Sequence, residues 1–355
     1  MTSLRQSTAC LIAALLLPAL ALAAEIPIDG CVAAAPGGRP LPKAQAQLRP
    51  VLSLYENSTR ALQGQGKPEP VERVATDEDG CFTLHAPEAG MWIVSVEAPG
   101  FVPMEQWLAP LFEAASLPLV ELEPDVGLRV RIEDAGGKPL AGAQVRIHRT
   151  WPVFRSGWFS PPREGVTAAD GMLRLPKATL EEIELWATAP GTFPQQSPRV
   201  KGSALSFRLH PGVLRTLALT RAEDGKPLSG ALLLHHPSRL PLGRTGATGE
   251  AVLATPALER FEIITLGEDG RLTGSWRRAN SREVRRIDLA LPSPVMVQGS
   301  VEDATSRRPV PGALVWPETD PASFVRTNAG GKFRLPWTPG SGVGVVAAAP
   351  GTFQN

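Results

Sequence analysis

Apolar and polar residues alternate with period two along most of this chain, and one pattern punctuates the alternation four times. Thr76 and Gly80 stand four positions apart, and apolar Phe82 and Leu84 follow the Gly at the second and fourth positions. The same spacing recurs at Thr167/Gly171 with Leu173 and Leu175, at Thr245/Gly249 with Ala251 and Leu253, and at Thr327/Gly331 with Phe333 and Leu335. Apolar positions two apart lie on one face of a strand but on opposite sides of a helix. The pattern therefore predicts hairpins: Thr closes one strand, polar residues turn, and Gly takes the left-handed conformation before the next strand.

Two further anchors accompany each hairpin. Before it stand Pro40-Leu41-Pro42-Lys43-Ala44, Pro139-Leu140-Ala141-Gly142-Ala143, Pro227-Leu228-Ser229-Gly230-Ala231 and Pro309-Val310-Pro311-Gly312-Ala313. After it stand Ala98-Pro99-Gly100-Phe101, Ala189-Pro190-Gly191-Thr192-Phe193 and Ala349-Pro350-Gly351-Thr352-Phe353; the third repeat departs from this anchor. Pro cannot donate to a ladder and belongs in the connections. The Pro anchors recur every roughly 80 to 100 residues, a spacing of whole small domains rather than solenoid units. The predicted units are residues 24–124, 125–211, 212–292 and 293–355, joined by short Pro-bearing junctions and expected to form a semi-rigid string.

The three anchors together resemble the carboxypeptidase regulatory-like domain. The resemblance covers nearly all of the chain after residue 23, in four copies. It implies an all-β chain, a tandem array of small antiparallel transthyretin-like β-sandwiches of about seven strands, similar in form to some carbohydrate-binding modules. It implies little about activity, since such a domain serves as an accessory in many exported proteins. The fourth copy has only four residues after Gly351. Its closing strand is expected either beyond residue 355 or from another chain by edge addition.

Composition sharpens this picture. The 34 Gly and 36 Pro residues fall in register as turn punctuation, and the net charge of +1 gives no electrostatic case for nucleic acid. Residues 1–23 read as a secretory signal peptide: Arg5, a short apolar run over 11–22 broken by Pro18, and Ala21-Leu22-Ala23 as a small-x-small cleavage site. No other apolar run approaches membrane length, so a secreted or periplasmic, cell-envelope location is expected. Cys31 and Cys81 remain after cleavage. Both fall in the first repeat, and in an oxidising compartment they bridge if their strands are neighbours; otherwise they stay as two thiols. The insertions differ between repeats, and residues 105–117 are expected as a short helix interrupted at Pro110.

Candidate chemistry is sparse. His85 and Glu88 have a His-x-x-Glu zinc spacing but no third ligand. Asp77 and Asp79 resemble the start of a calcium loop, although turn stabilisation accounts for them better. Gly340-Ser341-Gly342-Val343-Gly344 lacks a helix to make it a phosphate cradle. His235 and His236 point to opposite strand faces, so one metal cannot readily use both. The basic run over 271–286 suits a solvated strand pair. The best ligand-binding candidate is the aromatic insertion of the second repeat: Trp151, Phe154, Arg155, Trp158 and Phe159, with Arg163 nearby. Its rings suit stacking on sugar faces or anchoring a protein; alternatively they cap a sandwich or fill a domain junction. No catalytic residues, metal or cofactor are expected. The leading expectation is a non-catalytic scaffold or adhesion module with a protein or glycan partner in the cell envelope. The alternatives are a carbohydrate-binding protein and the accessory region of a larger exported enzyme.

Overall fold

A computed structural model describes residues 25–151, 158–161, 163–236, 238–256, 262–266, 285–293, 295–318, 320–337 and 344–350. The signal segment 1–23, most of the basic run and most of the Gly340–344 stretch lie outside these residues. Strands dominate the described chain, as the period-two alternation predicts. In the second repeat, Leu128–Glu133 lies between Met172–Leu175 and Ala204–Arg208 in a three-stranded sheet. Gln144–Trp151, flanked by Glu164–Val166 and Glu182–Thr188, forms a second sheet with Gln195–Gln196 at its edge. Inward residues of the two sheets, among them Val130, Ile132, Val145, Leu175 and Leu185, meet in one apolar cluster.

The first strand of each repeat is the common element. It pairs antiparallel with the strand after the hairpin Gly, as Gly30↔Phe82, Val130↔Leu173, Leu217↔Ala251 and Gly299↔Phe333. In the first three repeats a closing strand then pairs with it in parallel: Val32↔Val120, Ile132↔Phe207 and Leu219↔Leu289. Among the described residues the fourth repeat has no such third strand, and Val295–Ser300 pairs only with Lys332–Trp337.

The hairpin Thr explains why its anchor always travels with the Pro anchor. Thr76, Thr167, Thr245 and Thr327 are buried. Each Oγ1 accepts from the backbone N–H of Ala44, Ala143, Ala231 or Ala313, at 2.9 to 3.0 Å. Each hydroxyl donates to the carbonyl of Leu41, Leu140, Leu228 or Val310, at 2.5 to 2.7 Å. One side chain thus satisfies a donor and an acceptor where the Pro segment turns into the next strand. Gly80, Gly171, Gly249 and Gly331 all have φ between +70° and +76°. A Cβ there would also come within 2.6 Å of a backbone carbonyl oxygen of the first strand, so both conformation and space require Gly.

Two expectations fail. Residues 104–111 form a strand, Met104–Leu111, not a helix, because they pair along Gly90–Glu97 and extend its sheet. The helix lies instead in the earlier insertion, at Leu54–Leu62, where Ser53 and Glu56 form a reciprocal capping box. The repeats are also not a simple string. Pro124 bridges to Phe101 in the first sandwich while its neighbour Asp125 bridges to Ala178 in the second, leaving no slack at that junction. The first repeat, moreover, touches the third and the fourth, far along the chain.

Candidate functional site

The residues that distinguish one repeat from another gather at contacts between sandwiches. Trp158, from the insertion of the second repeat, is 1% exposed and belongs to the apolar core of the first. Its indole N–H donates to the Pro118 carbonyl at 2.9 Å. Phe159 exchanges both backbone hydrogen bonds with Glu105, extending the edge of the first sandwich, and its ring meets Trp107 edge-on at 6.4 Å. The half-exposed Lys67 forms an ion pair with Glu105 at 2.5 Å beside this contact.

This corrects the sequence reading for Trp158, which is not a ring open to a ligand: its face is packed and its one polar atom is satisfied. Phe159 is half-buried, with its ring against Trp107. Trp151 ends the strand Gln144–Trp151, pairing with Glu182. Phe154 and Arg155 lie outside the described residues. Arg163 is not a surface cation for a ligand. It is buried, in a bidentate pair with Glu181, and donates to the Pro176 carbonyl at 2.6 Å. Beside it Lys177 is buried, and desolvation holds its ammonium pKa below the ordinary value, with Glu181 opposing. These charges are spent on each other and on backbone.

The helix Leu54–Leu62 forms the second contact. Leu54, Tyr55 and Leu62 pack against the buried Leu232 and Leu234 of the third repeat. Arg244 of that repeat donates to the Tyr55 hydroxyl at 2.8 Å and to Thr59 Oγ1, with its guanidinium over the Tyr55 ring at 5.1 Å. Asp320 of the fourth repeat lies against the Leu54 N–H at the start of the helix. Burial raises its carboxyl pKa, with nearby Glu56 adding to the rise.

The third contact joins the first and fourth sandwiches. Met91, Leu314, Trp316 and Ala348 are buried together, with Val51, Phe112 and Phe324 against them. Arg326 donates to the Ala89 carbonyl and stands 3.6 Å from Glu88. His85 faces Glu72, its ring nitrogen 3.3 Å from the carboxylate, so the zinc-like His85/Glu88 spacing places the two residues with different partners. Among the described residues no group of three or more His, Cys, Asp or Glu could hold a metal ion. The Asp77 carboxylate accepts from the N–H groups of Asp79 and Cys81, at 3.0 and 2.7 Å, as a turn brace. His235 is buried, 2.7 Å from Ser238 Oγ, and its ring lies 4.8 Å from that of Trp186 in the second repeat.

Cys31 and Cys81 are directly opposed on paired strands and form a disulfide. A shallow depression of about 620 Å³ lies beside it, lined by Asp29, Val74, Asp77, Phe82, Thr83 and Leu117. Asp29 is engaged there, accepting from Thr83 Oγ1 at 2.6 Å.

No family model matches the chain, and no curated protein matches it. Solved structures similar to it include the shaft pilin SpaA of Lactobacillus rhamnosus GG, at 12% identity and TM-score 0.22, covering 53% of this chain and 98% of the pilin. The Bacillus anthracis TIE protein is 13% identical at TM-score 0.21, covering 86% of this chain and 63% of that one. BcpA, the major pilin subunit of Bacillus cereus, is 8% identical at TM-score 0.20, covering 76% and 99%. At these values the likenesses carry no argument about function. No helix among the described residues is long and apolar enough to cross a membrane.

Proposed function

We propose that this chain is a non-catalytic extracytoplasmic scaffold, built from carboxypeptidase regulatory-like domains, that holds binding loops in a fixed arrangement for a protein partner in the cell envelope. The observation that carries this reading is the use of apolar side chains between sandwiches. Leu232 and Leu234, Met91 and Trp316, and Trp158 are buried at contacts between repeats. A flexible string gains nothing from such burial, because inter-domain contacts are otherwise small and polar. A protein that must present several loops at set distances gains preorganisation, which lowers the entropy cost of binding. The signal-like N-terminus supports export. The glycan-binding alternative is weakened by the burial of Trp158, which removes one ring from its platform.

The test is affinity capture from an envelope fraction, comparing the mature chain with Leu232→Asp, which places a charge in the helix contact. A stoichiometric protein partner held by the first and lost by the second supports the reading. Equal capture by both, or a bound glycan released by Phe159→Ala, sinks it.

A further inference from the structure

Two arginines oppose each other on the outer face of the second repeat. In the sheet of Met172–Leu175, Leu128–Glu133 and Ala204–Arg208, the side chains of Leu128, Val130 and Ile132 lie in the core. Alternation turns Arg129, Arg131 and Glu133 outward, with Arg174 on one neighbouring strand and Arg208 on the other. All four arginines are exposed. Arg129 pairs in register with Arg174, three residues after the hairpin Gly171. The same register in the other repeats pairs Asp29 with Thr83, Thr216 with Val252 and Gln298 with Arg334. Of these four pairs only the one in the second repeat opposes like charges, an arrangement that destabilises a ladder. The fold does not require it.

The acids on this face leave it positive. Asp125 accepts from Arg174 at 2.7 Å, and the Arg174 guanidinium lies over Gly127, where a Cβ would come within 2.8 Å of it. Glu133 is shared, 2.8 Å from Arg131 and 3.4 Å from Arg208. Two carboxylates thus serve three guanidiniums, and Arg129 has no acidic partner among the described residues. Beside Arg129 and Arg131 the closing strand presents Ala204 and Ser206, both exposed and short, so no long side chain on that strand screens them.

An uncompensated positive face complements an anion from outside the chain. Spacing selects its kind. Arg129 and Arg131 lie two residues apart on one strand, about 7 Å, and alternate side chains of an extended polypeptide recur at the same interval. A guanidinium takes a carboxylate through a bidentate fork. Outward on these three strands there is no aromatic ring to stack on a sugar, and the one long apolar side chain, Met172, is half-buried. We infer that this face binds an acidic segment of a partner polypeptide, extended along Leu128–Glu133, with carboxylates on alternate residues over Arg129 and Arg131. This deepens the scaffold reading and rests on it for the partner being a protein.

The probe is a seven-residue peptide of alternating Thr and Glu, with Thr at both ends, titrated calorimetrically into the mature chain at low salt. Binding is expected, and Arg129→Gln with Arg131→Gln should weaken it about tenfold or more. Arg146→Gln with Arg286→Gln, which removes the same charge from ion pairs elsewhere, should weaken it much less. A peptide of the same composition with its three Glu contiguous should bind more weakly. Arg129→Gln alone should raise the melting temperature slightly, because it removes the like-charge pair. Five outcomes overturn the inference: no binding of the alternating peptide, equal loss in the two double variants, equal binding of the two peptides, a lower melting temperature with Arg129→Gln, or tighter binding of polygalacturonate or phosphatidylglycerol vesicles through the same two arginines. Envelope capture is scored without this peptide, so a captured partner with no peptide binding leaves the scaffold reading standing and overturns only this one.

Discussion

At the scale of single residues, the repeated Thr is the most consequential polar group in the fold. Thr167→Val keeps its shape but leaves the Ala143 N–H and the Leu140 carbonyl without their buried partner. An unsatisfied buried group costs roughly 1 to 3 kcal/mol. Denaturant unfolding should show a loss of that size, whereas Thr167→Ser, which keeps the hydroxyl, should recover most of it. Lys43 offers the opposite case. It holds φ +63° where the other repeats place Gly142, Gly230 and Gly312 at +71° to +73°. A Cβ at Gly142 or Gly312 would meet nothing within 4 Å, so the position tolerates a side chain and charges only for its conformation. A left-handed non-Gly residue costs about 1 to 2 kcal/mol, part of which Gly returns as entropy in the unfolded chain. Lys43→Gly should therefore raise the melting temperature of the chain slightly.

Asp125 gives a pH signature at the same scale. Burial pushes its carboxyl up, but hydrogen bonds from the Lys177 N–H, Arg174 and the Gly127 N–H outweigh it and hold the pKa below the ordinary value of 3.8. A carboxyl lowered on folding stabilises the protein above its unfolded pKa, and that stability is lost as pH falls through the folded value. The melting temperature should fall below about pH 4, and Asp125→Asn should flatten that part of the decline.

At the scale of elements, the helix Leu54–Leu62 depends on its surroundings. Nine residues are too few for a stable isolated helix in water, where roughly 12 to 15 are needed. Its capping box fixes the start, and the third repeat supplies the packing. Arg244→Ala removes the contacts to Tyr55 and Thr59 together, and hydrogen exchange of the helix amides should accelerate while strands elsewhere stay protected. An unchanged exchange pattern would show that the helix stands without the clasp. The disulfide acts through the chain instead. It links residues 50 apart in sequence, a closure worth roughly 4 kcal/mol in the chain-entropy model. Reduction should lower the stability of the first repeat most, by thermal unfolding followed at Trp92.

On the scale of the whole molecule, the first sandwich is the hub. It takes Trp158 from the second repeat into its core, lends its helix to the third, and packs its Met91 side against the fourth. Truncating Trp158 to Ala removes a large side chain from a buried site, a change that typically costs about 3 to 5 kcal/mol. The loss should appear as destabilisation of the first repeat, although the mutation lies in the second. Asp320 connects this level to pH. Its carboxyl is raised on burial, so its contribution is fully present below the unfolded pKa and fades as pH rises through the folded value.

How much of this was legible in the sequence divides along a physical line. Strand alternation, the hairpin Gly and the Thr and Pro anchors are local: they follow from what a backbone can do over ten or so residues, and the spacing of Thr167, Gly171 and Leu175 carries it. The helix was expected at 105–117, where a sheet edge outranks a short run's helical character; the Ser53/Glu56 capping box that starts the actual helix is equally local but was not among the expectations. The destination of the insertions was a different matter. Trp158 looks the same in sequence whether it faces water, a sugar or a neighbouring core, because burial depends on surfaces brought together from far along the chain. The order of residues determined the strands and the repeated Thr–Gly hairpins; only tertiary packing decided that side chains such as Trp158 join one core to another.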